Sequence, residues 1–287
     1  MIYIFAKIYY FKLLNELKKE IIMKKLIPIL LAAIVLASCS SVMLTGRRQL
    51  NLVSDAELNQ MSFTAYKQLK DSVPLSTDKT NSAMVKRVGT NIAAAVEKYM
   101  RENGMEDQIK NFQWEYNLFK VNQVNAFAMP GGKIAVYDGI LPKTMNETGM
   151  AVVVGHEIAH VVARHSAERY SQQVAAQYGG AILGAVVGNS SAAVQNGVGL
   201  LYGIGGQMML LKYSRNQEYE ADELGLIFMA MAGYNPNEAV TFWERMTADN
   251  TKGVSDFMST HPSDEKRIAR LKEVVPKAMQ YYKPKRK

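Results

Sequence analysis

His156-Glu157-Ile158-Ala159-His160 is the run that decides how this chain is read. Two histidines four residues apart on a helix lie one turn from each other on the same face. Neutral imidazoles so placed can both reach one Zn²⁺ at about 2.0–2.1 Å. Glu157, one residue past the first histidine, then projects beside the metal without having to bind it. There it can accept a proton from water attacking a carbonyl. The chain has only four histidines, and two of them fall in this run.

Catalytic zinc takes three protein ligands and keeps a fourth position open. His165 is the nearest further histidine, but the metzincin pattern would need Gly at 163 and His at 166, where this chain has Ala163 and Ser166. His165 therefore reads as a residue of the helix surface. Ser214-Arg215-Asn216-Gln217-Glu218-Tyr219-Glu220-Ala221-Asp222 offers better candidates. Glu218 and Asp222 share a face of a predicted helix, so one carboxylate can bind the metal while the other orients a ligating imidazole. The alternative for this stretch is a solvated acidic face that includes Glu220 and Glu223.

Outward from the motif, hydrophobic residues at 48% and charged residues at 21% permit a proper core. The net charge is +8, but half of it lies in residues 1–38 and the last five residues supply Lys283, Lys285, Arg286 and Lys287. The body is near neutral, with no basic stripe of the kind nucleic-acid binders carry. Cys39 is the only cysteine, which excludes an internal disulfide.

From Met23 two lysines, an apolar run and small residues lead to Leu36-Ala37-Ser38-Cys39, the order of a secretory signal. The apolar run is short for a membrane span, which needs roughly 20 residues. The small residues before Cys39 resemble a bacterial lipobox, in which the thiol is diacylated. Ser40 after it favours the outer membrane, facing the periplasm. Residues 1–22 then read as an upstream mis-assigned start, 23–38 as the lipoprotein signal peptide, and 39–53 as an anchor and extended lead-in.

Helices are predicted from Ser54, a good N-cap, to about Lys70, over 81–102, and from Asn146 past Arg164. They resume around 207–232, 236–247 and 263–274. Residues 112–119 and 133–137 change to strand period around Pro130-Gly131-Gly132, a turn signal. Residues 174–210 are rich in Gly and Ala and nearly uncharged, and read as an apolar lid or wall of the cleft, or else as a buried hairpin. The Gly-x-Gly run at 197–203 has the wrong spacing for a dinucleotide loop. The 17 methionines read as core filler.

Thr45 to Leu50, Asn125 to Gly132, His156 to His160, Ser214 to Asp222, and Thr260-His261-Pro262 with Arg267-Ile268 together resemble one family. It is the HtpX- and CaaX-prenyl-protease-like gluzincin endopeptidases, in their small lipoprotein branch. The resemblance implies an α+β, mostly α, zincin-like fold with a small antiparallel or mixed sheet and an active-site helix. The metallopeptidase domain would span 54–275, before a basic tail at 276–287. It implies one Zn²⁺ per chain held by His156, His160 and Glu218, with Asp222 orienting and Glu157 as general base. His261 would stabilise the oxyanion or cap the metal at rest. Asn125, Ala126, Phe127 and Ala128 resemble an edge strand that receives extended substrate. Expected substrates are unfolded or membrane-associated envelope proteins, and no nucleic acid. The rival expectation is a zinc-stabilised lipoprotein chaperone for outer-membrane proteins, to which a general base at Glu157 would be of no use.

Overall fold

The computed structural model describes residues 39–186, 213–248, 257, 259, 261 and 265–284. A short hairpin opens the described chain, β1 (Cys39–Ser41) antiparallel to β2 (Arg48–Leu50). Two helices follow, α1 (Asp55–Ser72) and α2 (Lys79–Glu102). Next come β3 (Glu115–Phe119), β4 (Ala126–Met129) and β5 (Lys133–Tyr137). The short α3 (Leu141–Thr144) leads into α4 (Glu147–Val162) and α5 (His165–Val186). Then come α6 (Arg215–Met231), α7 (Glu238–Ala248) and α8 (Glu265–Met279). The fold is mostly helical with two small sheets, in line with the expected class.

The three-stranded sheet is mixed. β5 is central, parallel to β3 and antiparallel to β4, and among the described residues β4 is an edge strand. Gly131 and Gly132 turn the chain between β4 and β5 at φ +76° and +91°, angles that side chains with a Cβ rarely adopt.

Apart from His156, Glu157 and His160, helix α4 is apolar all round between Gly149 and Val162, and this whole stretch is buried, as such a helix must be. Asn146 caps it by accepting from the Gly149 N–H at 2.9 Å. Helix α2 packs on one side of α4 and α6 on another, while the sheet covers it through β4. The crossing with α6 is unusually close. A Cβ on Gly155 would lie 2.9 Å from the Gly225 carbonyl oxygen, and one on Gly225 would lie 2.9 Å from the His156 nitrogen. Only glycine at both positions lets the two backbones approach so far.

Several boundaries differ from expectation. The catalytic helix does not continue past Arg164: it ends at Val162, and Arg164 takes φ +58° before α5 begins at His165. No glycine marks this break, although an Arg164–Asp55 ion pair holds it. Helix α6 starts at Arg215 rather than near 207, because Ser214 and Gln217 form a capping box there. Helix α8 runs beyond 274 to Met279 and accommodates Pro276 in its last turns. The lead-in at 39–53 contains a paired hairpin, and Leu52 N–H is held by the Ser171 hydroxyl. Residues 1–22 and the signal segment at 23–38, residues 187–210 of the Gly/Ala-rich stretch, Pro262 and the final three residues lie outside the described residues.

Gly225→Ala should push α6 away from α4. We expect a loss of about 1–3 kcal/mol, the usual cost of overpacking, together with weaker zinc binding, read by thermal unfolding and metal titration. An unchanged midpoint and unchanged affinity would show that the crossing has slack.

Candidate metal centre

All four histidines of the chain come together in one buried cluster. His156 and His160 project from α4, Glu218 and Asp222 from α6, and His261 from the stretch before α8. His156 Nε2 lies 3.0 Å from His160 Nε2, 3.5 Å from Glu218 Oε2, and His160 Nε2 lies 3.4 Å from Glu218 Oε1. Ligand atoms of His156, His160, Glu218 and His261 all lie within 4.8 Å of one another.

These residues fit a metal. Two zinc–ligand bonds at a tetrahedral angle would separate their donor atoms by about 3.3 Å, close to the spacings above. Neither oxygen of Glu218 accepts a well-directed hydrogen bond, although Arg267 Nη1 lies 2.8 Å from Oε2. Buried donor atoms that converge on one point in this way suit a cation. The donor set, imidazole nitrogen with one carboxylate, is that of zinc.

Each ligand is held from behind. His156 Nδ1 faces Asp222 Oδ1 at 3.0 Å, and Asp222 in turn accepts from Arg267 Nε at 2.6 Å and Nη2 at 2.8 Å. The Arg267 guanidinium lies 3.7 Å from the Trp243 ring centre. Burial would lower the pKa of His156, but Asp222 and Glu218 outweigh it and raise it to about 9. Burial alone pushes Glu218 up, yet the surrounding imidazoles and Arg267 hold it well below the usual carboxylate range. Burial drives His160 well below the ordinary histidine value and His261 down to about 3.

Glu157 is fully buried, and burial pushes it up to about 8. The N–H of Ala128 in β4 points toward it, but no full hydrogen bond reaches either oxygen. Its Oε1 lies 3.4 Å from His261 Nε2. The backbone places His261 firmly: its N–H donates to the Phe257 carbonyl at 2.8 Å, and the Phe257 N–H donates to Val124 at 3.0 Å. A narrow cleft beside β4 is lined by Ala128, Met129, Pro130, Val161 and Arg164 among others, and of the clustered side chains His160 borders it.

The family model of Peptidase family M48 matches residues 87–275. The chain belongs to this family. The mitochondrial metalloendopeptidase OMA1 of Schizosaccharomyces pombe is 36% identical over 82% of this chain and 66% of its own length. OMA1 of Saccharomyces cerevisiae is 36% identical over 67% of this chain and 54% of its own. The beta-barrel assembly-enhancing protease of Escherichia coli is 27% identical over 73% of this chain and 42% of its own. The chain thus spans from about two fifths to two thirds of the length of these relatives. M48 proteins are zinc metallopeptidases, and the cluster on α4 and α6 has the residues that such chemistry needs.

The structure brings together His156, Glu157, His160, Glu218, Asp222 and His261, and sets Asn125 to Ala128 at the sheet edge nearby. Of Cys39 only the strand backbone is described. His165 corrects the sequence reading. It is buried, not on a helix surface, and its Nδ1 lies 2.8 Å from Nδ1 of His160. Glu220 is buried as well, rather than part of a solvated face. Tyr213, stacked on the His160 ring at 3.8 Å, carried no signal in the sequence. Arg267 did carry one, since it stands in the His-Pro-x-x-x-x-Arg-Ile run, but its contacts could not be read from it.

Glu218→Ala should nearly abolish zinc binding, whereas Asp222→Asn should weaken it by roughly 10–100-fold, as loss of an orienting partner does. Full zinc occupancy of Glu218→Ala in a metal titration would mean that another side chain is the third ligand.

Proposed function

We propose that this chain is a zinc endopeptidase of the HtpX-like gluzincin kind, in a small lipoprotein branch, with its peptidase domain over residues 54–275. The observation that carries the proposal is the convergence of His156, His160 and Glu218 on one point with Glu157 beside them. In this reading those three residues hold one Zn²⁺ and Asp222 orients His156. A zinc ion held there supplies Lewis acidity toward the scissile carbonyl and toward water. Glu157 takes the proton of the attacking water and returns it to the leaving amine. Its burial shields the carboxyl from solvent, so that the proton stays on it between the two transfers.

His261 acts as the resting cap. Its Nε2 sits among the ligand atoms, and burial keeps the ring neutral and able to ligate. A histidine there blocks the open position that hydrolysis requires, which favours a cap over an oxyanion donor. Extended substrate adds to the edge strand β4 along Asn125, Ala126, Phe127 and Ala128, a recognition mode in which backbone hydrogen bonds supply affinity. The N–H of Ala128 lies between that edge and Glu157, so a peptide paired to β4 passes the base.

The substrates we propose are misfolded or membrane-associated proteins of the bacterial envelope. The name of the E. coli relative, a beta-barrel assembly-enhancing protease, supports this class. The OMA1 relatives are named as mitochondrial, so the envelope location rests on residues 23–39. Among the described residues no helix is long and apolar enough to cross a membrane. In this reading a diacylated Cys39 holds the protein to the outer membrane, facing the periplasm.

Purified protein should cleave casein, and a chelator should stop it. Glu157→Gln should retain zinc and lose cleavage, while His261→Ala should retain zinc and cleave faster than the parent. Wild-type turnover in Glu157→Gln would remove the mechanism, and slower cleavage in His261→Ala would reassign that histidine to transition-state stabilisation.

Cys39→Ala should no longer fractionate with membranes. If its distribution is unchanged, the anchor lies elsewhere in the chain.

A further inference from the structure

Behind His160 a line of buried hydrogen bonds runs away from the metal cluster and ends in the hairpin of β1 and β2. Nε2 of His160 faces His156 and Glu218, so the hydrogen of a neutral, ligating ring belongs on Nδ1. That Nδ1 meets Nδ1 of His165 at 2.8 Å, and two nitrogens at this distance share one hydrogen. His160 donates, His165 accepts, and the His165 hydrogen therefore sits on its Nε2. From there it is donated to Glu220 Oε2 at 2.9 Å.

Glu220 is itself fixed by the turn between β1 and β2. Its Oε1 accepts from the Thr45 hydroxyl, and its Oε2 also accepts from Arg47 Nε at 2.7 Å. The two Nη groups of Arg47 each donate to one oxygen of Glu168 at 2.8 Å, and Gln217 Nε2 donates to Glu168 at 2.8 Å. His165, Glu220 and Glu168 are all buried, so these bonds compete little with water.

We infer that Arg47 and Thr45, acting through Glu220 and His165, are positioning residues that hold His160 in its metal-binding tautomer and orientation. The hairpin at 39–50 is then part of the metal site and not a lead-in to it. This rests on His160 being a metal ligand. A carboxylate at Glu220 is what selects the Nε2–H form of His165. Without it His165 can carry its hydrogen on Nδ1, where it opposes the hydrogen of His160 and turns that ring off the metal. Without Arg47, Glu220 and Glu168 are two buried carboxylates with no cation between them, and they must move apart. The same hairpin begins at Cys39, so any tether at that residue acts a few residues from Arg47.

The test uses the full chain, with zinc affinity measured by competition against a chromophoric chelator and ligand geometry by the visible bands of the Co²⁺-substituted protein. Arg47→Ala and Glu220→Gln should each weaken zinc binding by roughly 10–100-fold, shift the Co²⁺ bands, and lower kcat more than KM. Lys70→Ala, which breaks a partly exposed ion pair with Glu115 far from His160, should change none of these. A hairpin with a purely structural role would lower the melting temperature in Arg47→Ala and leave affinity and bands alone, which would overturn the inference. Should Arg47→Ala fail to fold, Glu220→Gln, equal in volume, decides by the same readouts. His160→Ala is the reference. Loss of zinc there beside unchanged affinity in the Arg47 and Glu220 variants overturns the positioning role alone. Zinc retained in His160→Ala overturns the ligand assignment with it.

Discussion

Helices α4 and α6 touch backbone to backbone at Gly155 and Gly225, and the metal cluster depends on that contact. Asp222 and Glu218 lie roughly one and two turns before Gly225 on α6, while His156 and His160 follow Gly155 directly on α4. With an ordinary interaxial distance of 8–10 Å set by side chains, the short carboxylate arm of Asp222 would not meet the His156 ring. The two glycines remove the side chains that would keep the helices apart. The cost is helix propensity, roughly 1 kcal/mol for each glycine relative to alanine, and it is accepted where the catalytic groups need proximity.

Close approach creates a second demand. Glu218 and Asp222 are carried into a space with almost no water, where unpaired carboxylates would be expensive. Arg267 answers it from α8, reaching both acids at once, and its guanidinium is stacked on Trp243 from α7. The last two helices therefore do more than extend the core. They deliver one buried cation, and an arginine suits the place because it keeps its charge when buried and its planar fork can serve two acceptors. On the other side of the cluster Arg47 plays a comparable part toward Glu220 and Glu168. His156 is thus backed directly by an acid from α6 and His160 through His165, and each of these acids is met by an arginine from an end of the domain.

This arrangement explains what could be read in the sequence. Relations within one turn of helix were legible: the His156–His160 pair, the Glu218–Asp222 pair, the caps at Ser54 and Asn146, and the strand at 133–137. His165 was not. Extrapolated along an unbroken helix it lies five residues, or about 140°, around from His160, on another face. The left-handed residue Arg164 breaks the helix and turns His165 back toward His160, and an arginine gives no warning of such a conformation. Glu220 was hidden for a related reason. Two residues from either Glu218 or Asp222, it points away from them on the helix, and only the incoming hairpin and the start of α5 bury it. The hairpin itself is three residues a side, and its pairing is worth little without the contacts that Arg47 makes across more than a hundred residues of chain.

The cluster gathers side chains from α4, α5, α6, the stretch before α8 and the amino-terminal hairpin, segments that the unfolded chain holds far apart. Metal affinity and folding free energy are then coupled, because the full donor set exists only in the folded state. Any ligand that binds the folded chain alone stabilises it by RT ln(1 + [L]/Kd). His156, His160 and Glu218 meet in an interior that water hardly reaches, with the two Nε2 atoms 3.0 Å apart and Glu218 within 3.5 Å of both. His261, neutral and lodged among them, adds a fourth donor atom but no charge. Arg267 supplies the charge, paired with Glu218 and Asp222 and 3.5 Å from Nε2 of His156. The donors are therefore gathered around one point that suits a cation, and Arg267 helps to keep both acids ionised beside it.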